Sequence, residues 1–218
     1  MTDNFGFFQG KHTNRVLILG ESHYGESATI KTDTVVKNYL SLYANGGYDA
    51  SYEFFEKIAR SFDFDPRKER DLFWNSVYFK NYVCDDVCGI KDNKARSRIE
   101  HNRVGYNNAL FQFLNEKAIA AVFVFSRLVY NESLPSFFCK GKEDLGCCDD
   151  GTLMVGCRKD YISHCIYLAG VEHRYTDILL DHDVAFFGLR HPSAACGFYP
   201  ENYKKTLYGQ LTRITVQR

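Results

Sequence analysis

The sequence predicts an α/β fold built on a short, mainly parallel sheet. Three apolar runs carry that prediction: Arg15-Val-Leu-Ile-Leu-Gly20, Ala120-Ala-Val-Phe-Val-Phe125 and Asp183-Val-Ala-Phe-Phe-Gly188. Each is short and continuous, as a strand buried on both faces must be. Segments of helical spacing lie between them, and strands alternating with helices call for parallel crossovers. At 218 residues the chain can bury roughly 70% of its extended surface in one core, so a single domain over residues 1–218 is expected.

Taken in order, the first run ends at Gly20 and is followed by Glu21-Ser22-His23-Tyr24-Gly25, a polar turn bracketed by glycines. Residues 32–43 place Val35, Val36, Tyr39, Leu40 and Tyr43 at helical spacing, and residues 52–62 repeat the pattern with Phe54, Phe55, Ile58 and Phe62. Ser51, with Glu53 and Glu56 nearby, suits the start of that second helix, and Asp63-Phe64-Asp65-Pro66 ends it. A short helix is expected over 68–74, then a strand or extended segment over Asn75-Ser76-Val77-Tyr78-Phe79. Residues 84–102 are polar and aperiodic and read as a loop, and 103–117 as a helix. Residues 131–151 carry no clear pattern, and 161–171 fit a strand or a helix. Residues 202–213 form a closing helix with Tyr203, Leu207 and Leu211 on one side.

Composition excludes several classes. Apolar residues make up 45% of the chain and charged residues 25%, as in globular proteins, so wholesale disorder is excluded. No apolar run reaches the length of about 18 residues that a membrane span needs. The first residues, MTDNFGFFQGKH, lack the basic and apolar regions of a secretory signal, so a cytoplasmic location is expected. The 27 basic residues balance the 27 acidic ones, so no basic surplus announces a nucleic-acid partner. The charge is uneven, however: the segment from Arg190 onward holds five bases and one acid, a local basic face or a solvated helix. Eight cysteines without an export signal read as thiols in a reducing compartment. Cys84, Cys88, Cys147 and Cys148 are the four that zinc or an iron–sulfur cluster would use, but their spacing lacks the usual pairs.

Two polar clusters follow two of the buried strands: Gly20-Glu21-Ser22-His23-Tyr24-Gly25 and Arg190-His191-Pro192-Ser193. In one parallel sheet both would open on the same edge, where open α/β folds place their ligands. A carboxylate there steadies a cation or orients water, and a histidine donates to a developing anion. Taken singly, each is an ordinary turn residue; together they make a site. Between them, Asn75 offers the donor and acceptor that read a base edge, and Phe79 and Tyr78 offer rings for stacking. Asn75 reads equally well as the cap of the preceding helix, and the aromatics as core.

These residues, in this order, resemble the uracil-DNA glycosylase superfamily. Its members have a glycine-led motif after the first strand, an Asn that binds the uracil edge, and His-Pro-Ser after the last strand. The resemblance runs from Arg15 to about Arg213 but rests on three short motifs. It implies a three-layer α/β/α sandwich and hydrolysis of the N-glycosidic bond of uracil or another damaged base in DNA, with no metal or organic cofactor. It implies Glu21 as the group that positions water or stabilises the sugar cation, and His191 as the group that steadies the uracil oxygen. Asn75 would read the base edge, with Gly20, Ser22, His23, Tyr24 and Phe79 around the base and Ser193 at the phosphate backbone. The first motif departs from the pattern: Ser22 stands where the best-known branch has its catalytic Asp, and His23 lies at or near the place of the Pro of many branches. The last motif continues Ala194-Ala195-Cys196-Gly197-Phe198-Tyr199, which leaves Phe198 or Tyr199 as the intercalating wedge. Two other readings remain open: a catalytically silent member that binds a nucleobase or nucleic acid, and an interaction module held by metal on Cys84, Cys88, Cys147 and Cys148.

Overall fold

A computed structural model describes residues 7–22, 31–47, 49–83, 94–137, 139–140, 143–144, 151–154, 161–193 and 197–216. The chain runs β1 (Phe8–Gln9), β2 (Val16–Gly20), α1 (Thr32–Ala44), α2 (Glu53–Ser61), α3 (Arg70–Trp74), β3 (Tyr78–Asn81), α4 (Lys94–Glu116) and β4 (Ala121–Val124). It continues through β5 (Ser136–Phe137), β6 (Cys139–Lys140), β7 (Glu143–Asp144), β8 (Gly151–Met154), β9 (Tyr161–Tyr167), β10 (His173–Arg174), β11 (Val184–Gly188) and α5 (Pro200–Val216). Among the described residues seven strands form one sheet in the order β1-β3-β2-β4-β11-β9-β8. The four central strands, β3-β2-β4-β11, are parallel; β1 pairs antiparallel with β3 on one edge, and on the other β9 runs antiparallel to β11 and β8 antiparallel to β9. The ladders β5–β10 and β6–β7 lie apart from this sheet.

Alternation along the central strands divides the core in two. Val16 and Ile18 of β2, Phe79 of β3, and Ala121 and Phe123 of β4 face a cluster completed by Val36 and Tyr39 of α1, Phe55 and Ile58 of α2, Trp74 of α3 and Tyr203 and Leu207 of α5. Leu17, Leu19, Tyr78, Val122 and Val124 face the other way, onto Tyr106, Leu110, Phe111 and Leu114 of α4. Helices therefore cover both faces, which is why these strands are apolar without a break. The α/β class with a parallel centre is as the sequence predicts. The first face is aromatic: Trp74 meets Phe55 edge-on at 5.3 Å and Phe79 at 5.7 Å, and Phe123 stacks on Phe187 at 4.9 Å. Such pairs add about 0.5–1.5 kcal/mol each beyond the area they bury.

Several expectations need correction. Strand β3 covers residues 78–81 and not 75–79, because Asn75 is the C-cap of α3 and its backbone closes that helix onto Asp71. Helix begins at Lys94, so 94–102 is not loop; Asn102, at φ −135° and ψ 30°, breaks α4 into two segments and hides their continuity from a periodicity reading. Of the two options for 161–171 the structure has strand, over 161–167, and α5 starts two residues earlier than expected, with Pro200 in its first turn. Residues 129–133 form a π-helical turn that the sequence does not announce. The four cysteines considered for metal, Cys84, Cys88, Cys147 and Cys148, lie outside the described residues. Among the described residues no helix is long and apolar enough to cross a membrane.

The segment before β2 is tied to the α3–β3 turn at the N-terminal edge of the sheet. His12 N–H donates to the Asn75 carbonyl at 2.8 Å, and Gly10 N–H to that of Val77 at 3.2 Å. A Cβ on Gly10 would run into the Asn75 backbone, which has no room to yield. Gly10→Ala is therefore expected to destabilise the fold by about 1–3 kcal/mol, seen as a lower urea midpoint at unchanged slope.

Candidate functional site at the C-terminal edge of the sheet

Parallel pairing sends the last residues of β3, β2, β4 and β11 to one edge. Gly20 pairs with Asn81 in register, and the ladder continues past the strands: Tyr82 N–H donates to the Gly20 carbonyl at 3.0 Å, Val83 N–H to that of Glu21 at 2.9 Å, and Phe125 N–H to that of Leu19 at 2.9 Å. Glu21, Ser126 and His191 thus begin the loops that leave three of the strands.

The Glu21 carboxylate accepts a hydrogen bond from the Ser126 hydroxyl at 2.6 Å, Oγ to Oε2. Ser22 has a buried Oγ with no hydrogen-bond partner, a rare condition for a buried polar atom and one that a bound molecule would relieve. His191 is half-buried. Its Nδ1 accepts the backbone N–H of Ser193 at 3.2 Å, so the neutral ring carries its proton on Nε2 and is a donor there. Burial pushes the His191 pKa below its ordinary value, and the Glu21 carboxylate opposes that in part. The turn is anchored to α2: the Lys57 ammonium reaches the Pro192 carbonyl at 3.4 Å, and Phe54 packs against the His191 ring at 5.2 Å. Phe54 in turn meets Phe79 at 6.3 Å, so α2, β3 and the His191 turn share one aromatic wall.

Asn75 does not belong to this edge. It sits before β3, at the opposite end of the strands, where its Oδ1 accepts from Lys11 N–H and its carbonyl from His12 N–H. The Asn at the site is Asn81. It is 5% exposed, and its amide lies so close over Gly20 that a Cβ there would collide with Oδ1. Sequence reading missed it by ending the strand at Phe79, two residues early. Its signal was weaker than that of Glu21, since Lys80 stands between it and the apolar run that ends at Phe79. Phe54 and Ser126 were also missed as site members, since nothing in their own segments marks them. Phe79 is 1% exposed and forms part of the core wall beneath Gly20 rather than an open stacking platform. Ser193 uses its backbone on His191, and its side chain is exposed. His23 and Tyr24 lie outside the described residues. Phe198 is buried against Tyr203 at 5.0 Å, which removes it as a wedge; Tyr199 is 62% exposed and passes beside Gly197, near the Arg190 guanidinium.

Among the described residues no cluster of three or more His, Cys, Asp or Glu side chains is placed to hold a metal ion. A separate cavity of about 490 Å3 lies beside α4, between Arg103, Leu128, Ser133 and Tyr175, and includes none of the residues above. Set against models of known protein families and against curated proteins, the chain matches none.

The ionisation of His191 is directly measurable. Its NMR titration midpoint is expected below about 6.5, the ordinary histidine value. Glu21→Gln should lower it further, because the carboxylate is what holds it up. The sign for stability follows: the unfolded chain takes up this proton first, so stability falls as pH drops through the ordinary value toward the folded-state midpoint, and His191→Asn should flatten that part of the curve.

Proposed function

We propose that the protein is a base-excising hydrolase of the uracil-DNA glycosylase kind, built on a three-layer α/β/α sandwich. The observation that carries this reading is the meeting of Asn81 and Gly20 on adjacent strand ends, with Glu21, bonded to Ser126, leaving the same edge and His191 held on the α2 side of it. The central order β3-β2-β4-β11, with β2 inside and the ligand residues at the carboxyl ends, supports it. The resemblance in the sequence points the same way once Asn81 replaces Asn75.

The chemistry follows from the groups. A nucleotide turned out of its stack at a cost of a few kcal/mol would bring its base edge to Asn81, whose amide occupies the space that a side chain on residue 20 would take. The amide of Asn81 offers a donor and an acceptor to the base edge. As the C1′–N bond lengthens, positive charge gathers on the sugar and negative charge on the base. The Glu21 carboxylate offsets the first and directs water to C1′; that water forms the new C1′–O bond as the C1′–N bond breaks, its proton passes to solvent, and the base leaves as the anion. The Nε2–H of neutral His191 donates to the base oxygen that receives the second. A neutral donor serves here because it stabilises charge without having to keep a proton in a desolvated place. Removing one such donor typically costs about 10²–10³ in rate. Tyr199 supplies an exposed ring to fill the stack the base has left.

The test is cleavage of end-labelled oligonucleotides bearing uracil, single-stranded and opposite G or A. Abasic product is expected from the wild type, with Glu21→Gln and His191→Ala each lowering the rate at least about 100-fold. Gly20→Ala should fold normally, since only a flexible side-chain amide stands in the way, yet lose cleavage because Asn81 is displaced. Tyr199→Ala should weaken duplex cleavage more than single-strand cleavage. Binding of uracil-bearing strands with no product from any of them would replace hydrolysis by the binding reading.

A further inference from the structure

We infer that Ser126 is a positioning residue for Glu21: its buried hydroxyl fixes one carboxylate oxygen so that the charge stands in a single orientation at the end of β2. This rests on the reading of Glu21 as the group facing the sugar. Ser126 touches no substrate in that reading; it acts through Glu21.

The hydroxyl is 1% exposed and has two partners. Val129 N–H donates to Oγ at 3.2 Å, and Oγ–H donates to Glu21 Oε2 at 2.6 Å. Because the backbone amide occupies the oxygen as an acceptor, the hydroxyl proton is directed at the carboxylate. A separation of 2.6 Å is that of a charge-assisted O–H···O⁻ bond, about twice as strong as a neutral one. Burial of Ser126 keeps water from competing for its hydroxyl.

The support of Ser126 is as fixed as the residue. Val129 opens the π-helical turn that ends at Ser133. The Ser133 carbonyl accepts from three donors, the Tyr82 hydroxyl at 3.0 Å, Asn107 Nδ2 at 3.0 Å and Arg103 Nε at 2.9 Å. Tyr82 directly follows Asn81, and its own N–H holds the Gly20 carbonyl. A closed circuit therefore runs from Gly20–Glu21 through Ser126 and the turn to Ser133, then through Tyr82 back to Gly20. A carboxylate on a loop has several rotamers; one tied into this circuit has one, and site geometry must hold to within a fraction of an ångström.

The test separates positioning from support of the fold. It uses Ser126→Ala, Ser126→Thr, Glu21→Gln and the Ser126→Ala/Glu21→Gln double variant of the full chain. In the uracil-oligonucleotide assay, Ser126→Ala is expected to lower kcat roughly ten- to a hundredfold with little change in KM, and Ser126→Thr to restore most of it. In the Glu21→Gln background Ser126→Ala should cost nothing further; an equal loss in both backgrounds would overturn the inference, because it would mean that Ser126 acts on the fold. A second readout needs no activity. Among the described residues the charged groups around His191 are Glu21, Lys57 of α2 and Arg190 of its own turn, and of these Glu21 moves its titration. By NMR, Ser126→Ala should shift the His191 midpoint part of the way toward that of Glu21→Gln, and Ser126→Thr should leave it in place. A midpoint identical in wild type and Ser126→Ala would also overturn the inference. If no form of the protein cleaves any strand, the hydrolase reading fails, and the titration still decides whether Ser126 holds Glu21. Should Ser126→Ala fail to fold, Ser126→Cys keeps the volume, donates weakly and takes its place in both readouts.

Discussion

The parallel pairing of β2 with both β3 and β4 is the constraint on which the rest depends. Parallel strands share a direction, so every loop that leaves the centre of the sheet on the carboxyl side opens at one edge. Gly20, Asn81 and Ser126 come from segments separated by about 60 and 45 residues, yet the register sets them side by side. Burial on both faces locks that register. A one-residue slip of β2 would turn Val16 and Ile18 from the aromatic cluster onto α4 and reverse every neighbour. The close approach of Asn81 to Gly20 is a product of the same register, and glycine is the residue that permits it.

Charge at this edge is arranged by solvation as much as by pairing. Glu21 receives a directed proton from Ser126, while His191 is pressed into the aromatic wall of Phe54 and Phe79 and keeps its neutral form. The two groups oppose each other mildly: the carboxylate favours a protonated imidazole and the apolar wall disfavours it, and burial is the larger effect. An anion and a neutral donor at one site suit a reaction in which charge separates across a breaking bond. They would suit proton transfer between the two groups poorly, because burial opposes charge on the imidazole.

What was legible in the sequence follows from physics that acts locally. Continuous apolar runs reveal β2, β4 and β11 because burial on both faces leaves no other composition. Period reveals α1, α2 and α5 because each buries one side. The antiparallel edges were not legible: β1 is two residues long, and β8 and β9 carry polar residues such as Thr152, Ser163 and His164 that blur any period. Glu21 and His191 were legible as polar groups following buried strands. Asn81 was not, because Asn75 offered a nearer match and the strand boundary between them is set by the cap of α3, a feature of the turn and not of the strand. Ser126 was not legible: its bond to Glu21 spans 105 positions, and no local pattern encodes it.

The two aromatics after the His191 turn show why composition alone cannot assign a role. Phe198 and Tyr199 are adjacent, and either satisfies a search for an apolar wedge. Gly197, at φ 92°, turns the chain in a way that a side chain would resist, and α5 begins at Pro200, so only two residues join that turn to the helix. One enters the core and the other meets solvent. Tyr203 decides which: it stands fully buried on α5 and stacks on Phe198 at an interplanar angle of 15°, with Phe125 edge-on behind it. The phenol hydroxyl of Tyr199 would be costly in that slot without a hydrogen-bond partner, whereas in solvent it costs nothing. The packing of α5 on the sheet thus presents Tyr199 at the same edge as Arg190 and His191, and its position there is a consequence of core formation before it is anything else.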